Sequence, residues 1–318
     1  MNNMTCIVLA ISLVAFAACT PSEPPAEEPA PQGLENGSFT TQLNGFDIHY
    51  EVHGQGPVLM TLPNSWGLSL EGLRGLYRPL EDNLTMVYFD PRGMGESSPI
   101  ISEADMGMAA VRADFQALRQ HLGLESVQAI GWSNGAMNLI LLAAEQPETI
   151  ETAIFLHGAS HFSEEDRAAY AEKYPEVIAA WGALIAELQN PDLTDDERTA
   201  RMRDMWINEW FPVTFADRAR ASEVLNRTFE DAEFSWAHGS YSQIDQANFD
   251  ARSMLPQITA RSLVIGGAYD AIPAASGEAM SAAIPEAEFV LFESSGHYAP
   301  IEETEAFKVL ILNFLGVG

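Results

Sequence analysis

The amino-acid sequence predicts an α/β fold in which a mostly parallel sheet carries helices on both faces. Two observations indicate this class: short apolar runs alternate with segments whose apolar residues recur at helical spacing, and several of the runs end in polar turns. Parallel neighbours need a crossover connection, usually a helix, so the alternation favours a parallel sheet. Hydrophobic residues form 47% of the 318 residues, which excludes a wholly disordered chain.

The first predicted strand covers residues 46–52, where apolar and polar side chains alternate as in a half-buried strand. Later apolar runs have the length of buried strands and lie at 58–63, 85–91, 127–132, 152–158, 262–267 and 289–294. Helical spacing of apolar residues predicts helices over 106–122, 137–144 and 304–315. These predicted strands and helices lie within residues 46–158 and 262–315.

One interval is much longer than a crossover requires. About a hundred residues separate the run that ends near residue 160 from the strand that begins near residue 261. An insert of this length between strands is more typical of a lid than of a loop. Its pattern is mostly helical, and we expect its tryptophans mainly to pack within it. The sequence therefore predicts a core of residues 38–160 and 256–318 with a helical cap over residues 161–255.

The N-terminal residues have the pattern of a signal peptide. The apolar run at 7–18 is too short to span a membrane, and it leads through small residues into Cys19. This junction resembles the lipobox of bacterial lipoproteins, in which the cysteine is lipidated after cleavage. Residues 20–36 hold five prolines and four glutamates, which is typical of a stiff, solvated tether. An ordinary secretory signal cut near Ala18 is the alternative.

By this resemblance, residues 1–18 are a signal peptide and residues 19–37 are a lipidated cysteine with its Pro/Glu-rich linker. The chain would then cross the inner membrane and stay in the bacterial cell envelope, as an outer-membrane lipoprotein or in the periplasm. Thr20 agrees with the outer membrane, because an aspartate after the cysteine is the inner-membrane retention signal. Membrane attachment is expected only through the lipid.

The composition also limits the partners. The chain has 45 acidic and 16 basic side chains and a formal charge of −29. Residues 1–36 contain four of these acids and no base, so most of the charge belongs to the residues that follow. Because such a surface repels polyanions, we expect no nucleic-acid partner.

The most informative motif is GWSNG at residues 131–135, which follows an apolar strand and opens a predicted helix. A Gly-x-Ser-x-Gly sequence at such a junction forms a tight turn that exposes the serine hydroxyl at the carboxyl end of the sheet. Asp270 and His297 each follow one of the last two predicted strands. Because the carboxyl ends of parallel strands meet at one edge, we expect Ser133, Asp270 and His297 to face one crevice.

These residue types suit nucleophilic catalysis. A serine hydroxyl is a weak nucleophile at neutral pH and needs a base, a role that fits His297. Asp270 would fix the imidazole tautomer and stabilise the imidazolium, and Glu164 and Glu165 are the alternative acids. This chemistry needs no metal and no organic cofactor.

From residue 38 onward the chain resembles the α/β-hydrolase superfamily, most closely its proline iminopeptidase-like branch. The resemblance rests on DPRGMGES at 90–97, on GWSNG, on the GGAYD that ends at Asp270 and on the GHY around His297. It implies an eight-stranded sheet with a cap inserted after strand six, and a serine hydrolase that cleaves a small ester or amide through an acyl-enzyme. The first motif is a structural turn in the family, and Arg92 can reach nearby carboxylates or carbonyls.

One motif departs from the family pattern. Where relatives carry His-Gly after the third strand, this chain has Pro63 and Asn64. By position, the backbone amide of Ser65 corresponds to an oxyanion-hole donor, paired with the amide of Asn134. Such donors are typically worth about 3 kcal/mol each in transition-state stabilisation.

Several alternatives stay open. The iminopeptidase resemblance implies cap carboxylates that hold a free amine, and Glu209 and Glu233 are conceivable holders, whereas a general carboxylesterase is equally compatible with the motifs. His157 and His161 are four residues apart, but no partner pattern completes a metal site, so we expect structural or pocket-lining roles. A non-catalytic binding lipoprotein on a hydrolase fold is the alternative from a different class.

Overall fold

Strand pairing in the computed structural model, which describes residues 34–317, forms one eight-stranded sheet and confirms the predicted fold class. The predicted signal peptide, Cys19 and the linker up to residue 33 lie outside the described residues. The strands are β1 Gly37–Leu43, β2 Phe46–His53, β3 Val58–Leu62, β4 Thr85–Phe89, β5 Val127–Trp132, β6 Ile150–Leu156, β7 Arg261–Gly267 and β8 Ala287–Phe292.

The sheet has the order β1-β2-β4-β3-β5-β6-β7-β8. Its first three strands in this order pair antiparallel, and every later pair is parallel. The apolar runs do not predict β1. Its hairpin with β2 turns at Asn44 and Gly45, both with positive φ (51° and 88°), as a two-residue Asn-Gly turn requires.

Helices connect the parallel strands and fill the long insert. The core helices are α1 Leu70–Tyr77, α2 Met108–His121 and α3 Asn134–Glu145, then α9 Ala274–Ala283, α10 Ala299–Glu302 and α11 Thr304–Leu315. The helices between β6 and β7 are α4 Glu164–Lys173, α5 Pro175–Leu188, α6 Asp195–Met205, α7 Arg218–Thr228 and α8 Trp236–Asp245. Within residues 34–317, no helix is both long and apolar enough to cross a membrane.

Both faces of the sheet are buried, because successive side chains of each central strand enter different apolar clusters. In β4, Val87 and Phe89 pack with α2 and α3, whereas Met86 and Tyr88 pack with α1 and α11. Each large apolar side chain buried in this way stabilises the fold by about 1.5–3 kcal/mol. The continuous apolar runs of the sequence follow from this two-sided burial.

The cap helices α4–α8 contact the core. The cluster that contains α1 continues into the insert through Trp206, Phe229 and Phe234, all of them buried. Polar contacts add to this: the buried His238 has its Nε2 2.8 Å from the carbonyl oxygen of Arg92. The cap thus shares an apolar interior with the core.

The DPRGMGES segment forms the expected structural turn. Arg92 donates two hydrogen bonds to Asp114, at 2.7 and 2.8 Å, and a third to Asp105 at 3.2 Å. Asp90 accepts from the Leu70 amide at 2.8 Å. These contacts fix the turn to α1 and α2 and agree with the predicted reach of Arg92 towards carboxylates.

Candidate active site

Ser133 lies at a sharp turn between β5 and α3. Its φ of 56° and ψ of −119° are rare for a residue with a side chain. The flanking glycines make the turn possible, because a Cβ at Gly131 would overlap the Gly135 backbone and one at Gly135 would overlap the Leu62 carbonyl. The serine is half-buried and sits at the carboxyl end of a central strand.

Asp270 and His297 follow β7 and β8 and are in contact. His297 Nδ1 lies 2.9 Å from each carboxylate oxygen of Asp270. The backbone of His297 is held on both sides, because Trp132 Nε1 donates to its carbonyl oxygen at 2.9 Å and its own amide donates to Thr214 at 2.8 Å. The predicted acid and base are therefore brought together, with the base beside the residue that precedes Ser133.

The imidazole of His297 packs near Trp132, the residue that precedes Ser133, and the centroids of the two rings are 5.4 Å apart. The hydrogen bonds within residues 34–317 do not include one between the Ser133 hydroxyl and His297. Such bonds are often long in free enzymes and tighten when substrate binds. Because Nδ1 faces Asp270, Nε2 is the ring nitrogen left for the serine.

Asp270 is buried and its carboxylate accepts several N–H groups. Besides His297, the donors are His157 Nδ1, 2.9 Å from Oδ2, and the Ile272 amide, 3.0 Å from Oδ1. Burial by itself raises the pKa of Asp270, but the charge of His297 and the bonds from both histidines outweigh it and hold this pKa well below its ordinary range. The group is therefore an anion at neutral pH.

The backbone amide of Ser65, the predicted oxyanion-hole donor, is hydrogen-bonded to a side chain. The Ser65 amide already donates to Asn134 Oδ1 at 2.6 Å, and the Ser65 hydroxyl donates to the same oxygen at 2.9 Å. Asn64 is held by a matching contact, since its Oδ1 accepts from the Gly135 amide at 2.7 Å. The predicted Ser65 donor is thus engaged by the Asn134 side chain, a contact between residues 69 positions apart.

Residues 59–304 match the family described as alpha/beta hydrolase fold. The chain belongs to this family. A solved structure with the same fold is an alpha/beta fold family hydrolase from Bacillus anthracis, which matches with a TM-score of 0.72 at 19% identity and covers 88% of this chain and 99% of that one. At this identity the likeness shows the fold alone.

Curated proteins with different activities are similar to this chain to nearly the same degree. The chain is 23% identical to a 2-hydroxy-6-oxononadienedioate/2-hydroxy-6-oxononatrienedioate hydrolase of Pseudomonas sp, over 86% of this chain and 93% of the relative. It is 23% identical to the proline iminopeptidase of Heyndrickxia coagulans, over 84% and 93%. It is also 23% identical to the pimeloyl-[acyl-carrier protein] methyl ester esterase of Vibrio vulnificus, over 85% and 98%. The iminopeptidase-like branch is therefore one of several neighbours.

The sequence did not predict that His157 contacts Asp270. Its ring is fully buried and contacts Asp270, whereas His161 is half-buried and lies near Asp166. His157 directly follows β6, so its position at a strand end was the available signal. The alternative acids Glu164 and Glu165 are exposed at the start of α4.

Among the described residues, His157, Asp270 and His297 form a group that could hold a metal, with ligand atoms within 4.8 Å of one another. Each imidazole Nδ1 lies at hydrogen-bond distance from the carboxylate, as in a proton-sharing network. Hydrogen bonding by itself accounts for this arrangement.

The cap covers the Asp270 side of the site with aromatic side chains. Tyr170 stacks on Trp210 at 5.8 Å, and both pack with the buried Tyr174 and with Ala271. Burial raises the pKa of the Tyr170 phenol, and the nearby Asp270 carboxylate raises it further, so its hydroxyl stays protonated. Consistent with the expected packing role of the cap tryptophans, Trp206 is buried.

Proposed function

We propose that this hydrolase is a serine hydrolase in which Ser133 is the nucleophile, His297 the general base and Asp270 the acid that orients it. The observation that carries the proposal is the pair of 2.9 Å contacts from His297 Nδ1 to Asp270, beside a serine on a positive-φ turn at a strand end. This chain order of serine, acid and histidine is the one found on α/β-hydrolase sheets.

The proposed reaction runs through a covalent acyl-enzyme. His297 Nε2 takes the proton as Ser133 Oγ attacks the carbonyl carbon, and it then gives this proton to the leaving group as the carbonyl–heteroatom bond breaks. Asp270 remains an anion and stabilises the imidazolium. Water, activated by the same histidine, releases the acid and restores the serine. The Asn134 amide would donate to the oxyanion, and the Ser65 amide would join it once the Asn134 carboxamide turns away.

Among the substrate classes, the cap chemistry favours a small ester over a peptide with a free N-terminal proline. Glu209 and Glu233, the conceivable amine holders, are both exposed. The half-buried carboxylate of Glu302, near the site, is already engaged by the amides of Ala216, Gly296 and Tyr298 at 2.8 to 3.2 Å. An ester needs no anionic partner of this kind.

A rate comparison tests the proposal. Purified protein is assayed with p-nitrophenyl butyrate and with proline p-nitroanilide, alongside Ser133→Ala and Glu209→Gln. We expect ester turnover that Ser133→Ala abolishes and Glu209→Gln leaves unchanged. Turnover of the anilide alone would replace the ester assignment by the peptidase one, and ester turnover that survives Ser133→Ala would exclude the proposed nucleophile.

The proposal extends to the N-terminal segment, where the lipobox-like junction before Cys19 and the Pro/Glu-rich residues after it support a lipid-anchored envelope protein. Membrane fractions of bacteria that express the full chain are compared with those expressing Cys19→Ser. Release of the variant into the soluble periplasmic fraction is expected, and equal fractionation of the two proteins would exclude the anchor.

A further inference from the structure

A second histidine contacts the carboxylate of the proposed triad. His157 Nδ1 lies 2.9 Å from Asp270 Oδ2, and the two imidazole rings on this carboxylate have centroids 5.4 Å apart. The contact joins residues 113 positions apart in the chain, and the His157 side chain has no exposure to solvent. The catalytic steps proposed above do not use this group.

The backbone holds His157 in an unusual conformation. Its φ is 51°, one of three positive values among the non-glycine residues that the structure describes. Its amide donates to the Ile265 carbonyl of β7 at 2.8 Å, two residues before that strand ends. With this backbone conformation, the His157 side chain lies in the interior. Such strain is found mainly where the surroundings require it.

The protonation state of His157 is fixed by its second nitrogen. The Ala299 amide donates to His157 Nε2 at 3.3 Å, so that nitrogen is an acceptor and the proton resides on Nδ1. Burial lowers the pKa of His157 below its ordinary value, and the bond to Asp270 offsets only part of this. His157 is therefore a neutral N–H donor, and Asp270 receives one hydrogen bond from each imidazole.

We infer that His157 is a positioning residue for the reaction, which holds the Asp270 carboxylate so that its oxygens stay directed at His297. The inference rests on the proposed function. With His157 on Oδ2 and the Ile272 amide on Oδ1, rotation of the carboxylate is restricted from two sides. His297 then receives one defined orientation and keeps Nε2 towards Ser133.

The same contact sets how strongly Asp270 attracts a proton onto His297. A neutral donor on the carboxylate withdraws part of its charge, so removing that donor leaves more negative charge for the His297 imidazolium. The other titratable groups near Asp270 are Tyr170 from α4, and Tyr298 and Glu302 from the segment after β8. Burial raises the pKa of both phenols, so neither ionises near neutral pH. Burial also raises the pKa of Glu302, whose carboxylate accepts from the Gly296 and Tyr298 amides.

The test measures the rate constant for fluorophosphonate labelling between pH 5 and 9, for wild type and the variants His157→Leu, His157→Gln and His238→Leu. His157→Leu is expected to slow labelling about tenfold and to move the acid limb of the profile up by about half a pH unit, because Asp270 loses a donor. His157→Gln offers an amide N–H and is expected to recover most of the rate and the original midpoint. His238→Leu removes an equally buried histidine from the cap contact with Arg92 and leaves the midpoint unchanged.

Rates that fall equally in the leucine and glutamine variants with an unchanged midpoint would overturn the inference, as would a leucine variant with the wild-type rate. A measurement on wild type alone covers the case in which a variant does not fold. In ¹⁵N NMR, the His157 Nδ1–H signal should shift with pH around the midpoint of the labelling profile, because His157 and His297 share Asp270, and a signal that does not change there would also overturn it. Absence of labelling in wild type would instead remove the proposed function.

Discussion

Because the backbone of Ser133 is strained, we expect two inactive variants, Ser133→Ala and Ser133→Gly, to differ in stability. At φ 56° and ψ −119°, a residue with a Cβ is strained, and such positions typically cost about 1–3 kcal/mol. Ser133→Ala keeps the Cβ and therefore the strain, whereas Ser133→Gly removes both. Glycine also gains conformational freedom in the unfolded chain, and this offsets about 0.4–1 kcal/mol of the stability gained by relieving the strain. The net expectation is that the glycine variant is more stable than the alanine variant by about 1 kcal/mol.

Urea unfolding of the two variants, followed by circular dichroism, measures this difference. A free energy of about 1 kcal/mol corresponds to about 2–4 °C in the melting temperature of a domain of this size, which thermal unfolding would also resolve. Both variants lack the hydroxyl, so neither should be labelled by a fluorophosphonate, and differences in activity cannot confuse the comparison. A glycine variant that unfolds at the same or lower urea concentration than the alanine variant would refute the claim of stored strain.

Three further outcomes are expected. Arg92→Leu removes the cationic partner of the buried Asp114 carboxylate, to which Asn44 Nδ2 still donates, and should lower the free energy of unfolding by about 3 kcal/mol. Asp114→Leu should restore part of this loss in the double variant, and additive losses in urea unfolding would contradict the prediction. Asn134→Ala frees the Ser65 amide from a competing acceptor and should raise the labelling rate about fivefold, whereas slower labelling would mean that the carboxamide supports the site. Burial lowers the pKa of His238, so below its ordinary value of 6.5 the unfolded chain binds a proton that the folded chain excludes. The free energy of unfolding should therefore fall as pH is lowered from about 6.5 towards that depressed pKa, and this part of the slope should be absent in His238→Leu.

Much of the fold could be predicted from local patterns, because the central strands are buried on both faces and appear as continuous apolar runs. The predicted strand at 127–132 matches β5, and the predicted helix at 304–315 matches α11. β1 has alternating exposure and few apolar residues, so its place depends on pairing with β2 and not on its own composition. Its Asn44-Gly45 turn was the signal present in the sequence.

The candidate site was predictable to the extent that it depends on strand ends. Asp270 and His297 follow consecutive strands, and the parallel sheet brings them into contact as expected. The position of His157 at a strand end is visible in the sequence, but its contact with Asp270 also depends on a positive φ and on the register of β6 against β7, which the sequence does not specify. The engagement of the Ser65 amide by Asn134 depends likewise on side-chain rotamers, which no spacing in the sequence specifies.

The central claim is that Ser133 is a nucleophile activated by His297, and the site of covalent labelling tests it most directly. In this reaction Ser133 Oγ bonds to the phosphorus of a fluorophosphonate, fluoride leaves, and His297 accepts the serine proton. Wild type, Ser133→Ala and His297→Ala are treated with the reagent, digested and mapped by mass spectrometry. The account predicts one adduct on the peptide that contains Ser133, absent in Ser133→Ala and strongly reduced in His297→Ala. No adduct in folded wild-type protein, or an adduct that persists in Ser133→Ala, would contradict it.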